Sequence, residues 1–309
     1  MGRRHRKGDP VHGWFVVDKP EGVTSTRTVS ILKKLSNAQK AGHGGTLDPL
    51  ATGILPIAMG EATKTIPYII DNTKEYEFTV RWGVSTSTDD REGKVVATSD
   101  KRPDRAMIEG VISSFKGVID QVPPSFSAIK VAGKRAYDLA RKGENVLLPA
   151  REIKIYDLSL AQIIDDEQAV FHVVSGAGAY MRSLARDLAV ALGTVGHLIS
   201  LRRTRVGPFS LCDSISLDEL QGFGHIAAVL ECLLPIETAL DDIPALALTG
   251  TEASQLRHGQ PVALFRKGDL ERVAELGIGD TVLTTDRGKP VALAKYCAGE
   301  IRPFRVLNL

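Results

Sequence analysis

Residues 42–53 read Gly42-His43-Gly44-Gly45-Thr46-Leu47-Asp48-Pro49-Leu50-Ala51-Thr52-Gly53 and set one carboxylate in a glycine-rich loop between two apolar stretches. The glycines permit backbone shapes that other residues resist. Pro49 biases Asp48 away from helical φ/ψ. With so little side-chain bulk around it, the acid is open to close approach by a ligand. Such a carboxylate can act as a nucleophile or a general base if it is ionised and partly withdrawn from water. Burial alone raises a carboxyl pKa, whereas a guanidinium partner lowers it and orients the group. The segment Ser175-Gly176-Ala177-Gly178-Ala179-Tyr180-Met181-Arg182 offers that partner in Arg182. Arg182 falls in the first turn of a predicted helix, where a cation is disfavoured unless something anionic lies close. Plainer readings stand beside these. Asp48 can be a helix N-cap with Pro49 at the first helical position, and Arg182 a surface cation. Tyr76 is either a core aromatic or a stacking platform for an extruded base. His43 is an acid–base partner of Asp48 or a solvated loop residue.

The elements that must position these groups follow from periodicity. Residues 13 to 18 read as a short strand. Thr24 and Ser25 can cap a helix to about Leu35, with Val29, Leu32 and Leu35 on one face. Glu61 to Ile70 looks helical, interrupted or ended near Pro67. Tyr76, Phe78, Val80 and Trp82 alternate with polar residues, the mark of a strand with one buried face. Asp104 can cap a helix to about Phe115. Strands are expected at Ile153 to Ile155 and Ala169 to Ser175, and a helix from about Tyr180 to Leu192. The pattern weakens through Pro235, Pro244 and Gly250, which places a domain boundary there. Beyond it come a helix at about Thr251 to Arg257 and short β-like runs between glycines, a small β-rich module.

A chain of 309 residues has room for about two domains. Its net charge of +2 announces no global nucleic-acid footprint, so any basic surface must be local. Three such clusters exist: Arg182 with Arg186 on one helix face; Arg202, Arg203 and Arg205; and Lys130, Lys134, Arg135, Arg141 and Lys142 in the excursion from Pro123 to Gly143. Each alone is an ordinary solvated face; together, flanking one cleft, they favour an RNA footprint. Cys212, Cys232 and Cys297 form no Cys-x-x-Cys pair, so no zinc site is expected. As free thiols they fit a reducing, cytoplasmic setting. The apolar run Trp14 to Val17 is too short for a signal peptide, and no run reaches membrane-spanning length.

The Leu47-Asp48-Pro49-Leu50-Ala51-Thr52-Gly53 run resembles the catalytic motif of the bacterial tRNA pseudouridine-55 synthases, the TruB type. Gly178-x-Tyr180-x-Arg182 and Lys74-x-Tyr76 resemble two further motifs of that family. Together with Pro123-Pro124-x-Phe126-Ser127-Ala128-x-Lys130, the resemblance covers about residues 12 to 210. It departs at Phe126, where many relatives have Tyr, and at Gly44-Gly45-Thr46. The resemblance implies an α+β pseudouridine synthase fold with a mixed, mainly antiparallel sheet. The catalytic domain would span 1–240, with an RNA-gripping insertion at about 123–150, and a PUA-like RNA-binding domain would span 245–309. It implies isomerisation of uridine 55 in the T arm of tRNA by base flipping and aspartate-initiated glycosidic cleavage, without cofactor or metal. Asp48 would start the reaction, Arg182 pair with it, and Tyr76 stack on the uracil and accept a proton. His43, Lys19, Leu201, Lys130, Arg202 and Arg203 would hold the substrate or its RNA, with Lys19 mainly supporting the active-site loop. The chain is expected to act as a monomer without an obligatory protein partner. The alternatives are an RNA-binding tRNA folding factor with a minor catalytic role, and an aspartate-based hydrolase of small molecules, which the basic insertion argues against.

Overall fold

The computed structural model describes residues 8–127, 129–131, 133–137, 148–264, 267–297 and 299–309. In chain order the strands up to residue 216 are β1 (Gly13–Lys19), β2 (Ala41–His43), β3 (Thr52–Met59), β4 (Lys74–Trp82), β5 (Val84–Thr86), β6 (Val95–Thr98), β7 (Gly117–Gln121), β8 (Lys130–Val131), β9 (Lys134–Arg135), β10 (Arg151–Asp165), β11 (Gln168–Ser175), β12 (Gly196–Val206), β13 (Phe209–Ser210) and β14 (Ile215–Ser216). One large sheet runs β14-β1-β3-β12-β4-β11-β10-β7, with β2 beside β3 and β13 beside β12. Only the β1–β14 and β3–β12 pairings are parallel; the others in this sheet are antiparallel. The sheet is therefore mixed and mainly antiparallel, as expected.

Alternation along β1 and β3 gives this sheet two different faces. On the front, Phe15, Val17, Leu55 and Ile57 pack with Leu32 of the helix Ser25–Leu35 and with Leu184 and Leu188 of the helix Met181–Ala191. On the back, Trp14, Val16, Ile54 and Ala58 pack with Phe209, Ile236 and Leu240. The same back cluster takes in Leu283, Leu293 and Leu307 from the end of the chain. Leu283 and Leu293 belong to, and Leu307 directly follows, a second sheet of five strands: β15 (Ala245–Ala247), β16 (Val262–Ala263), β17 (Thr281–Asp286), β18 (Lys289–Cys297) and β19 (Glu300–Val306), in the order β15-β17-β18-β19-β16. Its own core includes Leu256, Val282, Val291 and Ile301. A polar latch adds to the apolar contact: Lys64 Nζ donates to the Val306 carbonyl at 2.6 Å, and Glu61 accepts from the Asn308 N–H at 2.9 Å.

Local chemistry accounts for the helix starts. Thr24 Oγ1 accepts from Arg27 N–H at 3.1 Å and Asp104 Oδ1 from Met107 N–H at 2.8 Å, each satisfying an orphan donor of the first turn. The segment Glu61 to Ile70 differs from expectation. It divides into a 3₁₀ turn, Gly60–Lys64, and a helix, Ile66–Asp71. Pro67 lies in the first turn of that helix, where its missing N–H costs nothing, so it starts the second piece rather than ending the first. Strand β10 also extends well past Ile155, forming a long hairpin with β11 that carries three register shifts. Within the basic excursion, residues 128, 132 and 138–147 lie outside the described residues.

Candidate active site

The loop between β2 and β3 is fixed from three sides. Ser25 Oγ, in the first turn of its helix, donates to the Leu47 carbonyl and accepts from the Leu47 N–H, both at 2.9 Å. The Pro49 carbonyl accepts from Gly22 N–H at 2.8 Å and from Lys19 Nζ at 3.3 Å. Ala51 N–H donates to the Asp48 carbonyl at 3.1 Å, closing a turn that leads directly into β3. No helix follows Asp48, so the helix-cap reading falls away.

What holds the Asp48 side chain is Arg182, whose Nε lies 2.9 Å from Oδ2. Arg182 is 5% exposed, while the Asp48 side chain keeps 36% of its surface open. The cation is thus buried and the anion faces outward, the order needed if the carboxylate is to meet a substrate. The other guanidinium nitrogens are occupied: Nη2 donates to the Phe126 carbonyl at 3.0 Å and Nη1 to the Thr88 carbonyl at 3.3 Å. Asp90 lies 3.7 Å from Nη1. Asp90 is itself buried and held by Thr88 Oγ1 at 2.5 Å and Glu92 N–H at 3.0 Å. With its donors committed, Arg182 cannot swing away, and Asp48 inherits that rigidity.

Beneath the loop, strand register lines up a row of residues across four neighbouring strands. Lys19 of β1 faces Gly53 of β3, Gly53 faces Arg203 of β12, and Arg203 faces Tyr76 of β4. Facing partners share a side of the sheet, so these side chains converge on the front. Lys19 is fully buried and donates to the carbonyls of Pro20 at 2.8 Å and Val23 at 2.7 Å as well as Pro49. Burial pulls its pKa down to about 8, against the raising effects of Asp48 and Glu21. Arg203 is 2% exposed; it donates from Nε to the Ile54 carbonyl at 2.7 Å and from Nη2 to the Gly45 carbonyl at 3.1 Å, and it faces Tyr76 across the β12–β4 pairing. His43 is half-buried, and burial first, then the Arg203 charge, lowers its pKa and favours the neutral ring. Its Nδ1 is buried without a partner.

The structure therefore brings Asp48 and Arg182 into contact, sets Tyr76 opposite Arg203 and ties Lys19 to the Pro49 carbonyl. Two of the expected RNA contacts need correction, while Lys19, buried and bonded to the Pro49 carbonyl, is placed where it supports the active-site loop. Arg203 is buried and donates to backbone carbonyls, so it does not present its charge to a phosphate. Arg202 is on the opposite face of the sheet by strand alternation, where its guanidinium grips Asp18 at 2.6 and 3.1 Å. Leu201 sits in the front core opposite Phe78. Lys130 is on β8, with its side chain outside the described residues. Two further residues belong to the site. Tyr180, half-buried at the helix start, has its hydroxyl pKa raised by burial, while Arg182 pulls it back and Asp48 pushes it up. Its signal was the Gly178-x-Tyr180-x-Arg182 string. Asp90 had no signal beyond a polar stretch, because only the folded chain brings it to Arg182. Among the described residues no group of three His, Cys, Asp or Glu side chains could hold a metal ion.

A family model described as TruB family pseudouridylate synthase (N terminal domain) matches residues 33–181, and one described as tRNA pseudouridylate synthase B C-terminal domain matches residues 182–241. The tRNA pseudouridine synthase B of Rhodospirillum rubrum is 54% identical over 306 residues, covering 99% of each chain. The chain belongs to the TruB family of pseudouridylate synthases. That of Caulobacter vibrioides is 50% identical over 307 residues, again covering 99% of each. Among solved structures, a chain of a Cbf5-Nop10-Gar1 complex matches with a TM-score of 0.73 at 27% identity, covering 96% of this chain and 85% of that one. This TruB-family chain is thus a pseudouridine synthase with the family's α+β fold and a β-rich C-terminal domain. The two family models meet between Met181 and Arg182, so the Asp48–Arg182 pair joins a residue from each. No helix among the described residues is long and apolar enough to cross a membrane.

Proposed function

We propose that the protein isomerises uridine 55 in the T arm of tRNA to pseudouridine. The relatives named tRNA pseudouridine synthase B support tRNA as the substrate. The observation that carries the catalytic part is the outward-facing Asp48 carboxylate held at 2.9 Å by a buried Arg182. The target base sits inside folded RNA and must be extruded before any side chain can reach its sugar. Tyr76 stacks on it. Asp48 takes a proton from the sugar C2′; the C–H electron pair closes a C1′=C2′ double bond and expels uracil through N1. The uracil turns, C5 bonds to C1′ and C2′ recovers its proton. The C5 proton then passes to the Tyr76 oxygen as that hydroxyl releases its own proton, and N1 takes up a proton, which restores the ring and leaves an isomer of the starting nucleotide with no net redox change. His43 lines the space beside the extruded nucleotide. Basic residues of the 123–150 insertion, Lys130 among them, grip the T arm, and residues 245–309 act as a PUA-like RNA-binding domain behind the catalytic domain of 1–240. The chain works in the cytoplasm as a monomer, without a protein partner.

The test is pseudouridine formation in an unmodified T-arm transcript by wild type and Asp48→Asn. The substitution keeps the side-chain shape and removes the base, so conversion should fall about a hundredfold or more while folding and RNA affinity hold. Equal conversion by both proteins would remove Asp48 from the chemistry. A normal isotope effect with 2′-deuterated RNA supports proton removal from C2′; its absence when chemistry limits the rate points to direct attack by the carboxylate.

A further inference from the structure

Arg203 is a cation in an unusual place. Only 2% of its surface is exposed, and among the described residues no carboxylate lies within ion-pair distance of it. A buried charge without a counter-charge is costly, so fold stability alone gives it no role. Its side chain donates to the Ile54 carbonyl at 2.7 Å and the Gly45 carbonyl at 3.1 Å, and its third neighbour is Tyr76, directly opposite it on β4. The first is on β3, the second lies three residues before Asp48, and the third is the ring that meets the base. Two glycines lie against this residue, Gly53 against its backbone and Gly45 against its guanidinium. A Cβ on Gly53 would come within 2.2 Å of the Arg203 carbonyl oxygen, and one on Gly45 within 3.4 Å of Nη1. Both glycines also have positive φ, +96° and +124°, which a side chain would oppose.

We propose that Arg203 is the positioning residue for Tyr76: it donates to the phenolic oxygen and, through the Gly45 carbonyl, ties that oxygen to the loop that carries Asp48. The inference rests on the reading of Tyr76 given above as the residue that stacks on the base and takes the C5 proton. A planar guanidinium presents its donors in fixed directions. Two are pinned by backbone carbonyls, so the donor facing Tyr76 cannot wander. Accepting that bond holds the phenolic oxygen at one point of the sheet and turns its own proton elsewhere. The distance between the stacking ring and the carboxylate is then set by one side chain rather than by two independent loops.

Three enzymes separate this role from a phosphate contact: Arg203→Met, Tyr76→Phe and the double variant, with Arg203→Lys as the conservative form. Arg203→Met should lower the single-turnover rate on the T-arm transcript about ten- to a hundredfold, the scale of a misplaced catalytic group. RNA affinity should stay within about twofold and its salt dependence should not change, since no phosphate contact is lost. Arg203→Lys should recover part of the rate. In the Tyr76→Phe background, where the hydroxyl is gone, Arg203→Met should cost less than about threefold more. Full multiplicative losses in the double variant, or a loss that appears as weaker, less salt-dependent RNA binding, would overturn the proposal. If Arg203→Met does not fold, Arg203→Lys completes the same cycle. A readout without RNA keeps the two readings apart. 3-Fluorotyrosine at position 76 should show a fluorine resonance that moves on Arg203→Lys. Movement in a protein inactive on the T arm supports the positioning contact and sinks the assigned reaction. An unmoved resonance in an active enzyme does the reverse.

Discussion

The two faces of the central sheet solve different problems with the same strands. The front buries charge: Lys19, Arg182 and Arg203 all lie there at 5% exposure or less. The back buries almost pure hydrocarbon, with Trp14, Val16, Ile54 and Phe209 meeting Leu283, Leu293 and Leu307 across the junction of the two sheets. Apolar burial stabilises at roughly 25 cal/mol per Å², whereas buried cations cost free energy unless every donor is satisfied. Here most of the donors find backbone carbonyls. The back face therefore supplies stability, and the front spends part of it on holding charged and polar groups in fixed places.

That division can be tested by breaking each face in turn. The largest effect belongs to Arg182→Met, which leaves Asp48 without its cation. The single-turnover rate should fall about a hundredfold or more, with RNA affinity retained. Trp14→Ala attacks the back face. Urea unfolding should show a loss of about 3–5 kcal/mol, while the rate per folded molecule stays within about twofold. A rate that fell in step with stability would mean the faces are not separable. Lys19→Met probes the cost of the front. The unfolded chain keeps the lysine proton to about 10.5, but the folded protein gives it up near 8. Below pH 8 both states are protonated and the burial penalty is fully present; between pH 8 and 10.5 it is relieved. Wild type should therefore gain stability relative to Lys19→Met as pH rises through that window. A gap independent of pH would count against a buried, charge-penalised lysine. Arg202→Ala should do least, leaving rate and RNA affinity within about twofold, because its charge is already engaged by Asp18 on the far side of the sheet.

How much of this the chain discloses before folding depends on how local each feature is. Asp48 and Arg182 were legible because each sits in a short string that resembles a family motif; the residues by themselves left the helix-cap and surface-cation readings open. The Thr24 and Asp104 caps were legible because cap and first turn are neighbours in sequence. Arg203 was not. Arg202, Arg203 and Arg205 are alike as a cluster, and which one turns inward depends on the register of β12 against β3 and β4, strands more than a hundred residues away. Lys19 was legible as a support for the active-site loop, but not its burial, which only the carbonyls of Pro20, Val23 and Pro49 make tolerable. Pro67 was ambiguous because the same residue opens helices and ends them. Asp90 left no trace, its partner Arg182 lying at the far end of the family match.

The transverse row Lys19–Gly53–Arg203–Tyr76 has a further consequence, for the way the chain reaches its fold. A slip of one residue in β12 would bring Arg202, identical in size and charge, to the place of Arg203. The sheet thus contains a local decoy at its centre, but the same slip would carry Leu198 and Leu201 out of the front core, so hydrophobic patterning opposes it. Register shifts between Leu198 and Ser200 and between Arg203 and Arg205 bracket the position, and β12 approaches β3 closely there because Gly53 has no side chain. A chain misfolded in this register is therefore expected to be both inactive and less stable than the native protein, because it loses the Arg203 position and two core leucines together.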